Sequence, residues 1–309
     1  MSDRNLKIVS LLPSATEIVA ALGLTEAIVG RSHECDYPPE IQALPVCTQA
    51  RLNCQAPSKE IDEKVNEVLQ SALSIYEIKT DILQQLAPTH ILTQDRCEVC
   101  AVSLQDVEQS IGKLTDSSPK IISLQPNAIA DLWSDIERVA DELGIESNRI
   151  VEDLAARVKI CQQKTEKLSA MERPSVACIE WTDPLMIAAN WIPELVMFAG
   201  GQPLFASSGQ NSPKLDWETL VATDPDVIIF MPCGFDIERT RTEAMTLYDR
   251  PEWQSLKAVR SGRVYITDGN AYFNRPGPRL VDSVEILAEI LHPEIFAYGY
   301  REKAWERLE

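Results

Sequence analysis

Apolar and polar positions along this chain follow two rhythms. Short unbroken apolar runs, the mark of strands buried on both faces, fall at 7–10, 27–30, 90–93, 120–123, 176–179, 227–230 and 264–267. Between them, apolar residues recur every three or four positions, as on one face of a helix. The alternation predicts an α/β chain whose parallel-type sheets are flanked by helices.

Several helix boundaries are written in local residue choices. Ser14 to Glu17 and Ser103 to Asp106 have the spacing of capping boxes, in which the first side chain takes amides left free by the opening turn. A helix opening at Asn127 carries Ile129, Leu132, Trp133, Ile136, Val139 and Leu143 on one face and closes at Gly144. The longest helical pattern covers 148–171, with Ile150, Leu154, Val158, Cys161, Thr165 and Leu168 in step; at 1.5 Å per residue it is roughly 35 Å long. Pro174 stops it. No Gly/Ser-rich tether flanks this segment, so it predicts a stiff connection. The expected organisation is two lobes, 1–147 and 173–309, joined by one long helix over 148–172.

In open parallel sheets, ligands sit beyond the carboxyl ends of the strands. That rule singles out His33, Glu34, Cys35 and Asp36 after the second strand, and Gln94, Asp95, Cys97 and Cys100 after the third. In the second half it selects Trp181 and Asp183, then Cys233, then Tyr272, Phe273, Asn274 and Arg275. Trp191 joins them from a turn before a helix. Together these residues predict the walls of a ligand cleft between the lobes.

Charge and composition remove some classes of function. A net charge of −18 without any basic run opposes binding to nucleic acid or anionic lipid. No apolar run reaches the length of about 20 residues that membrane insertion requires. The N-terminus enters a strand pattern directly and shows no secretory h-region, which predicts a cytoplasmic protein with its eight cysteines mostly reduced.

The thiols permit three readings. His33, Cys35, Cys97 and Cys100 make an adequate donor set for tetrahedral Zn²⁺. Cys97 and Cys100 also precede a helix start, where amide dipoles favour redox exchange. Alternatively, they pack beneath a loop. His33 suits an axial position on cobalt or iron, or a hydrogen bond inside a Pro-rich turn. Catalytic signatures such as Gly-x-Ser-x-Gly, a phosphate loop or His-Glu-x-x-His are absent from the sequence. An enzyme would have to be thiol-dependent and act on a metal chelate.

The segments KIVSLLPSATEIVAALG, SHECDYPP, LAPTHIL, EWTDPLMIAANWIPELVMFAGG and YFNRPGPRLVDSVEILAEILHP resemble the cobalamin-binding branch of the metal-chelate substrate-binding proteins of ABC importers. The resemblance runs nearly end to end. It implies two α/β lobes joined by one helix, no catalysis, and a corrinoid, siderophore or haem held between the lobes. Trp181, Tyr272 and Phe273 match family aromatics that contact the corrin, whereas His33, Glu34 and Gln49 stand where two further aromatics are expected. Of the family's two acidic residues that grip the permease, one aligns with Asp81; the other falls near Met197, a turn from Glu194. The resulting expectation is a binder of cobalamin or a related corrinoid. The alternatives are a binder of metal ions or another metal chelate through the Cys/His cluster, and the thiol-dependent enzyme.

Overall fold

The computed structural model describes residues 6–70, 75–94, 104–112 and 118–308. The chain is a two-domain α/β protein, divided into two compact units. The first comprises Met1–Ala56, Glu60–Pro126 and Asp131–Val151; the second comprises Pro57–Lys59, Asn127–Ala130 and Glu152–Glu309.

The first unit contains β1 (Ile8–Ser10), β2 (Ile28–Arg31), β3 (Thr48–Ala50), β4 (Tyr76–Ile78), β5 (His90–Gln94) and β6 (Lys120–Leu124). Four of these form an all-parallel sheet in the order β2-β1-β5-β6, while β3 and β4 pair antiparallel on their own. Val9, Leu11, Cys47, Ile75, Leu83, Ile91 and Val107 form its core. Its helices include α1 (Pro13–Ala21), α2 (Ser58–Gln70), α3 (Thr80–Leu86), α4 (Leu104–Ile111) and α5 (Ile129–Leu143), of which α2 and α5 begin in segments belonging to the second unit. Gly144 ends α5 at φ +68°, a left-handed conformation open to a residue without a Cβ.

Two helix expectations need correction. Pro13 takes the first position of α1, so Ser14 lies inside the helix and its buried hydroxyl caps nothing. Proline at N1 costs no hydrogen bond, and this moves the helix start ahead of the serine. Ser103, the other expected cap, lies outside the described residues. The long helix is shorter than its periodicity suggested: α6 spans Asn148–Thr165, roughly 27 Å. Arg173 takes the Thr165 carbonyl at its end (2.6 Å), and Ser169 with Glu172 forms a capping box that opens a separate 3₁₀ turn.

The second unit contains β7 (Ser175–Thr182), β8 (Leu185–Ile187), α7 (Ile192–Phe198), β9 (Gln202–Pro203), α8 (Trp217–Thr223), β10 (Val227–Phe230), α9 (Ile237–Met245), α10 (Lys257–Arg260), β11 (Val264–Thr267), α11 (Leu280–Leu291) and β12 (Trp305–Arg307). The sheet order is β12-β11-β10-β7-β8, with β9 also paired to β7. Strands β7, β10 and β11 run parallel, so their carboxyl ends share one edge, while β8 and β12 add antiparallel. The three parallel strands are buried on both faces, which is why they read as continuous apolar runs.

Candidate functional site

In the first unit the chain leaves β2 into the turn that carries His33 to Asp36. The Arg31 guanidinium pins this turn by donating to the carbonyls of Ser32 (3.1 Å), Cys35 (3.0 Å) and Gln42 (2.9 Å). The Thr48 hydroxyl donates to Ser32 Oγ (3.1 Å) and lies 2.7 Å from His33 Nδ1. With its one proton committed to Ser32, Thr48 accepts from Nδ1–H, which leaves the Nε2 lone pair bare. Nε2 is buried and without a hydrogen-bond partner. Burial first, then the charges of Lys79 and Arg31, lower the His33 pKa and keep the ring neutral. The ring packs against Tyr76 at 5.3 Å, whose hydroxyl donates to Glu34 (3.0 Å).

The other predicted residues of this unit are engaged locally. Gln49 donates to Glu77 across the β3–β4 pair (2.9 Å), and the Asp36 carbonyl accepts from the Gln42 side chain (2.8 Å). Gln94 is buried at the end of β5, and Asp81 is exposed in the first turn of α3. Asp95, Cys97 and Cys100 lie outside the described residues. Cys35 departs from the expected metal set: its sulfur is buried and accepts from the Thr16 hydroxyl at 3.1 Å. Among the described residues, no three His, Cys, Asp or Glu side chains stand together as metal donors.

In the second unit, loops from β7, β10 and β11 knit together at the carboxyl edge. The Trp181 ring lies 5.2 Å from Phe235, and its indole N–H donates to the Ser58 carbonyl (3.1 Å). Ser58 and Thr182 then share hydroxyl contact at 3.0 Å, and both donate to the buried Glu243. The Phe235 carbonyl accepts from Asn270 N–H (3.0 Å), and Asn270 Oδ1 accepts from Arg275 (2.9 Å). A Cβ on Gly269 would stand 2.2 Å from the Pro232 carbonyl oxygen, so only glycine lets the two loops approach this closely.

Tyr272 and Phe273 belong to a π-helical turn, Gly269–Phe273, capped by Asp268 through Ala271 N–H (2.7 Å). Burial pushes the Asp268 pKa up despite that amide and the nearby Arg275. Tyr272 is half-buried, whereas Phe273 is 0% exposed; the expected corrin contact by Phe273 is therefore replaced by core packing. Trp191 is also buried, its indole spent on the Phe273 carbonyl (2.9 Å). Asn274 uses its amide on the carbonyls of Met231 and Gly269, both at 3.0 Å, and Asp183 is exposed beyond β7. Glu194 accepts from Ile129 N–H at the start of α5 (2.9 Å), an intramolecular cap where a permease contact was expected.

Two residues escaped the sequence reading. Phe235 supplies the ring beside Trp181, and the Arg239 guanidinium lies 3.7 Å from the Phe235 centroid. The available signal was an aromatic just past Pro-Cys-Gly at the end of β10.

At this edge Trp181 and Tyr272 remain half-buried, backed by the buried Phe235 ring and the buried Arg275 guanidinium, and no nucleophile–base pair stands among the residues just described. Comparison with known proteins places this arrangement in a family. A family model described as "Periplasmic binding protein" matches residues 8–271. The chain is 24% identical over 296 residues to the uncharacterized ABC transporter substrate-binding lipoprotein YvrC of Bacillus subtilis, covering 94% of this chain and 81% of the relative. It is 22% identical over 294 residues to a vitamin B12-binding protein of Vibrio parahaemolyticus, covering 92% and 88%. Its fold matches the periplasmic heme-binding protein RhuT of Roseiflexus sp. RS-1 with a TM-score of 0.68 and 21% identity, covering 93% and 98%.

The expected cytoplasmic location does not survive this comparison, because the matching proteins are periplasmic or lipoproteins. The match covers most of the chain, and the chain belongs to the periplasmic binding protein family, the non-catalytic solute-binding proteins of ABC importers.

Proposed function

We propose that this protein binds cobalamin or a related corrinoid for an ABC importer, with the carboxyl-edge loops of the second unit as a contact surface. The observation that carries this reading is the pair of half-buried rings, Trp181 at the end of β7 and Tyr272 on the turn after β11, backed by the buried Phe235 and Arg275. Flat rings bury large area against a macrocycle at little entropic cost. Likeness to a vitamin B12-binding protein over 92% of the chain supports the same ligand class. In the first unit, the His33–Glu34 turn is a further contact candidate, with a neutral imidazole where the resemblance implies a Phe, Tyr or Trp.

Titration of the purified protein with cobalamin, cobinamide and haemin, followed by absorbance, tests the assignment. The expected result is saturable binding of a corrinoid, weakened at least about tenfold by Trp181→Ala, the scale of losing one well-packed aromatic contact. Preference for haemin would move the protein to another metal chelate. No uptake of any of the three would end the reading.

A further inference from the structure

Behind Tyr272 lies a network that the ligand surface itself does not use. Glu289 on α11 accepts from the N–H groups of Tyr298 (3.0 Å), Gly299 (2.9 Å), Tyr300 (3.3 Å) and Arg301 (3.2 Å). Four amides on one buried carboxylate offset the cost of burying it and pin this stretch of chain to α11.

The Tyr300 side chain is gripped as well. Its hydroxyl lies 2.9 Å from Glu285 Oε2 and 3.2 Å from Asp282 Oδ1. Arg157, reaching over from α6, binds both carboxylates, at 2.6 Å and 2.5 Å through Nη2 and at 3.0 Å through Nε. A planar guanidinium is well suited to hold two acids at once, and both acids then orient the phenol. Burial and the two carboxylates push the Tyr300 pKa upward, so its proton stays in place.

The Tyr300 ring meets Tyr272 nearly perpendicular, at 76° with centroids 6.2 Å apart. The main chain of Tyr272 is already fixed by Ser283 Oγ, which donates to its carbonyl (2.6 Å). The main chain does not set the side-chain torsions, and a half-buried phenol on a turn can swing unless a neighbour blocks it. Tyr300 is one such neighbour, beside the Arg279 guanidinium, which lies 5.6 Å from the Tyr272 ring centroid.

We propose that Tyr300, clamped by Arg157 through Asp282 and Glu285, is a positioning residue that sets the orientation of the Tyr272 ring for ligand binding. The inference rests on the proposed role of Tyr272 in contacting the ligand. It makes Arg157, a residue of the long helix, a determinant of affinity acting through Tyr300, which it reaches both through the two carboxylates and by its own contact with the hydroxyl (3.4 Å).

The test uses the full-length protein labelled with 3-fluorotyrosine, with the Tyr272 fluorine resonance assigned by Tyr272→Phe. In Arg157→Gln that resonance moves or broadens, and Arg157→Lys, which keeps the charge, returns it toward the wild-type position. Tyr300→Phe, which keeps the ring and removes only the hydroxyl, reproduces the change and stands in if Arg157→Gln does not fold. An unchanged Tyr272 resonance in Tyr300→Phe and in the folded Arg157 variants would overturn the proposal. With hydroxocobalamin as probe, Arg157→Gln and Tyr300→Phe weaken binding about 3- to 10-fold, the range expected for an aromatic pair. In a Tyr272→Ala background they cause no further loss, because the path to the ligand is already cut; additive losses would also overturn the proposal. Should the wild type take up no hydroxocobalamin, the binding reading falls, and the fluorine result still decides whether Arg157 positions Tyr272.

Discussion

The indole N–H of Trp191 donates to the main-chain carbonyl of Phe273 at 2.9 Å, linking the turn before α7 to the turn after β11. Both side chains are buried, so the bond is shielded from water and the carbonyl depends on it. Trp191→Phe should lower unfolding stability by about 1–3 kcal/mol through an unsatisfied buried carbonyl. Trp191→Ala should cost more, about 3–5 kcal/mol, because a cavity is added. Urea midpoints of wild type and the two variants check this order, and a Trp191→Phe midpoint equal to wild type would show that the hydrogen bond contributes nothing.

Glu194 offers a second test, because it separates a cap from a partner contact. Its carboxylate sits at the N-terminus of α5, where the unpaired amides and the helix dipole favour negative charge. Glu194→Ala should cost about 1 kcal/mol in the isolated protein. A variant as stable as wild type would return this residue to the surface role that its sequence position suggested.

The His33 imidazole should titrate below its ordinary value of 6.5, as burial and the Lys79 and Arg31 charges require. Below 6.5 the unfolded chain binds a proton that the folded chain resists. Stability therefore rises with pH between the lowered value and 6.5, and is penalised as pH falls through that window. An NMR titration of the ring, with urea midpoints of wild type and His33→Gln at about pH 5 and about pH 7, checks both parts. A midpoint at or above 6.5 would contradict the neutral ring.

Thiol reactivity should follow burial. Burial pushes the Cys178 thiol up to about 12 and Cys47 up to about 11, against a weaker pull from Arg31 and Lys79 on the latter, and it raises Cys161 as well. Brief treatment with iodoacetamide near neutral pH should mark the exposed Cys54 and leave Cys47, Cys161 and Cys178 untouched in peptide maps. Labelling of Cys178 as fast as Cys54 would mean that its strand opens readily.

The sequence exposed the parallel strands because each is buried on both faces and so appears as an apolar run; Val227 to Phe230 is wholly buried. It concealed the short antiparallel pieces. In β3 and β4 only three residues each take part, and Gln49 and Glu77 face each other as an exposed polar pair, which gives no hydrophobic rhythm to detect. The strand-end rule found Trp181 and Tyr272, yet it could not tell which ring of the Tyr272–Phe273 pair turns inward, since that depends on the π-helical turn. Ser58, Thr182 and Glu243 were invisible for another reason. They are 124 and 61 residues apart in sequence, and nothing local marks their meeting. Periodicity overran the end of α6 because Ser169 and Glu172 restart a turn with apolar residues still in step.

Hydrogen exchange of the protein with and without saturating cobalamin tests the binding surface most directly. The account predicts slowed exchange in peptides carrying Trp181, Phe235 and the turn from Tyr272 to Arg275. Bound cobalamin that leaves all three at their free rates would contradict it.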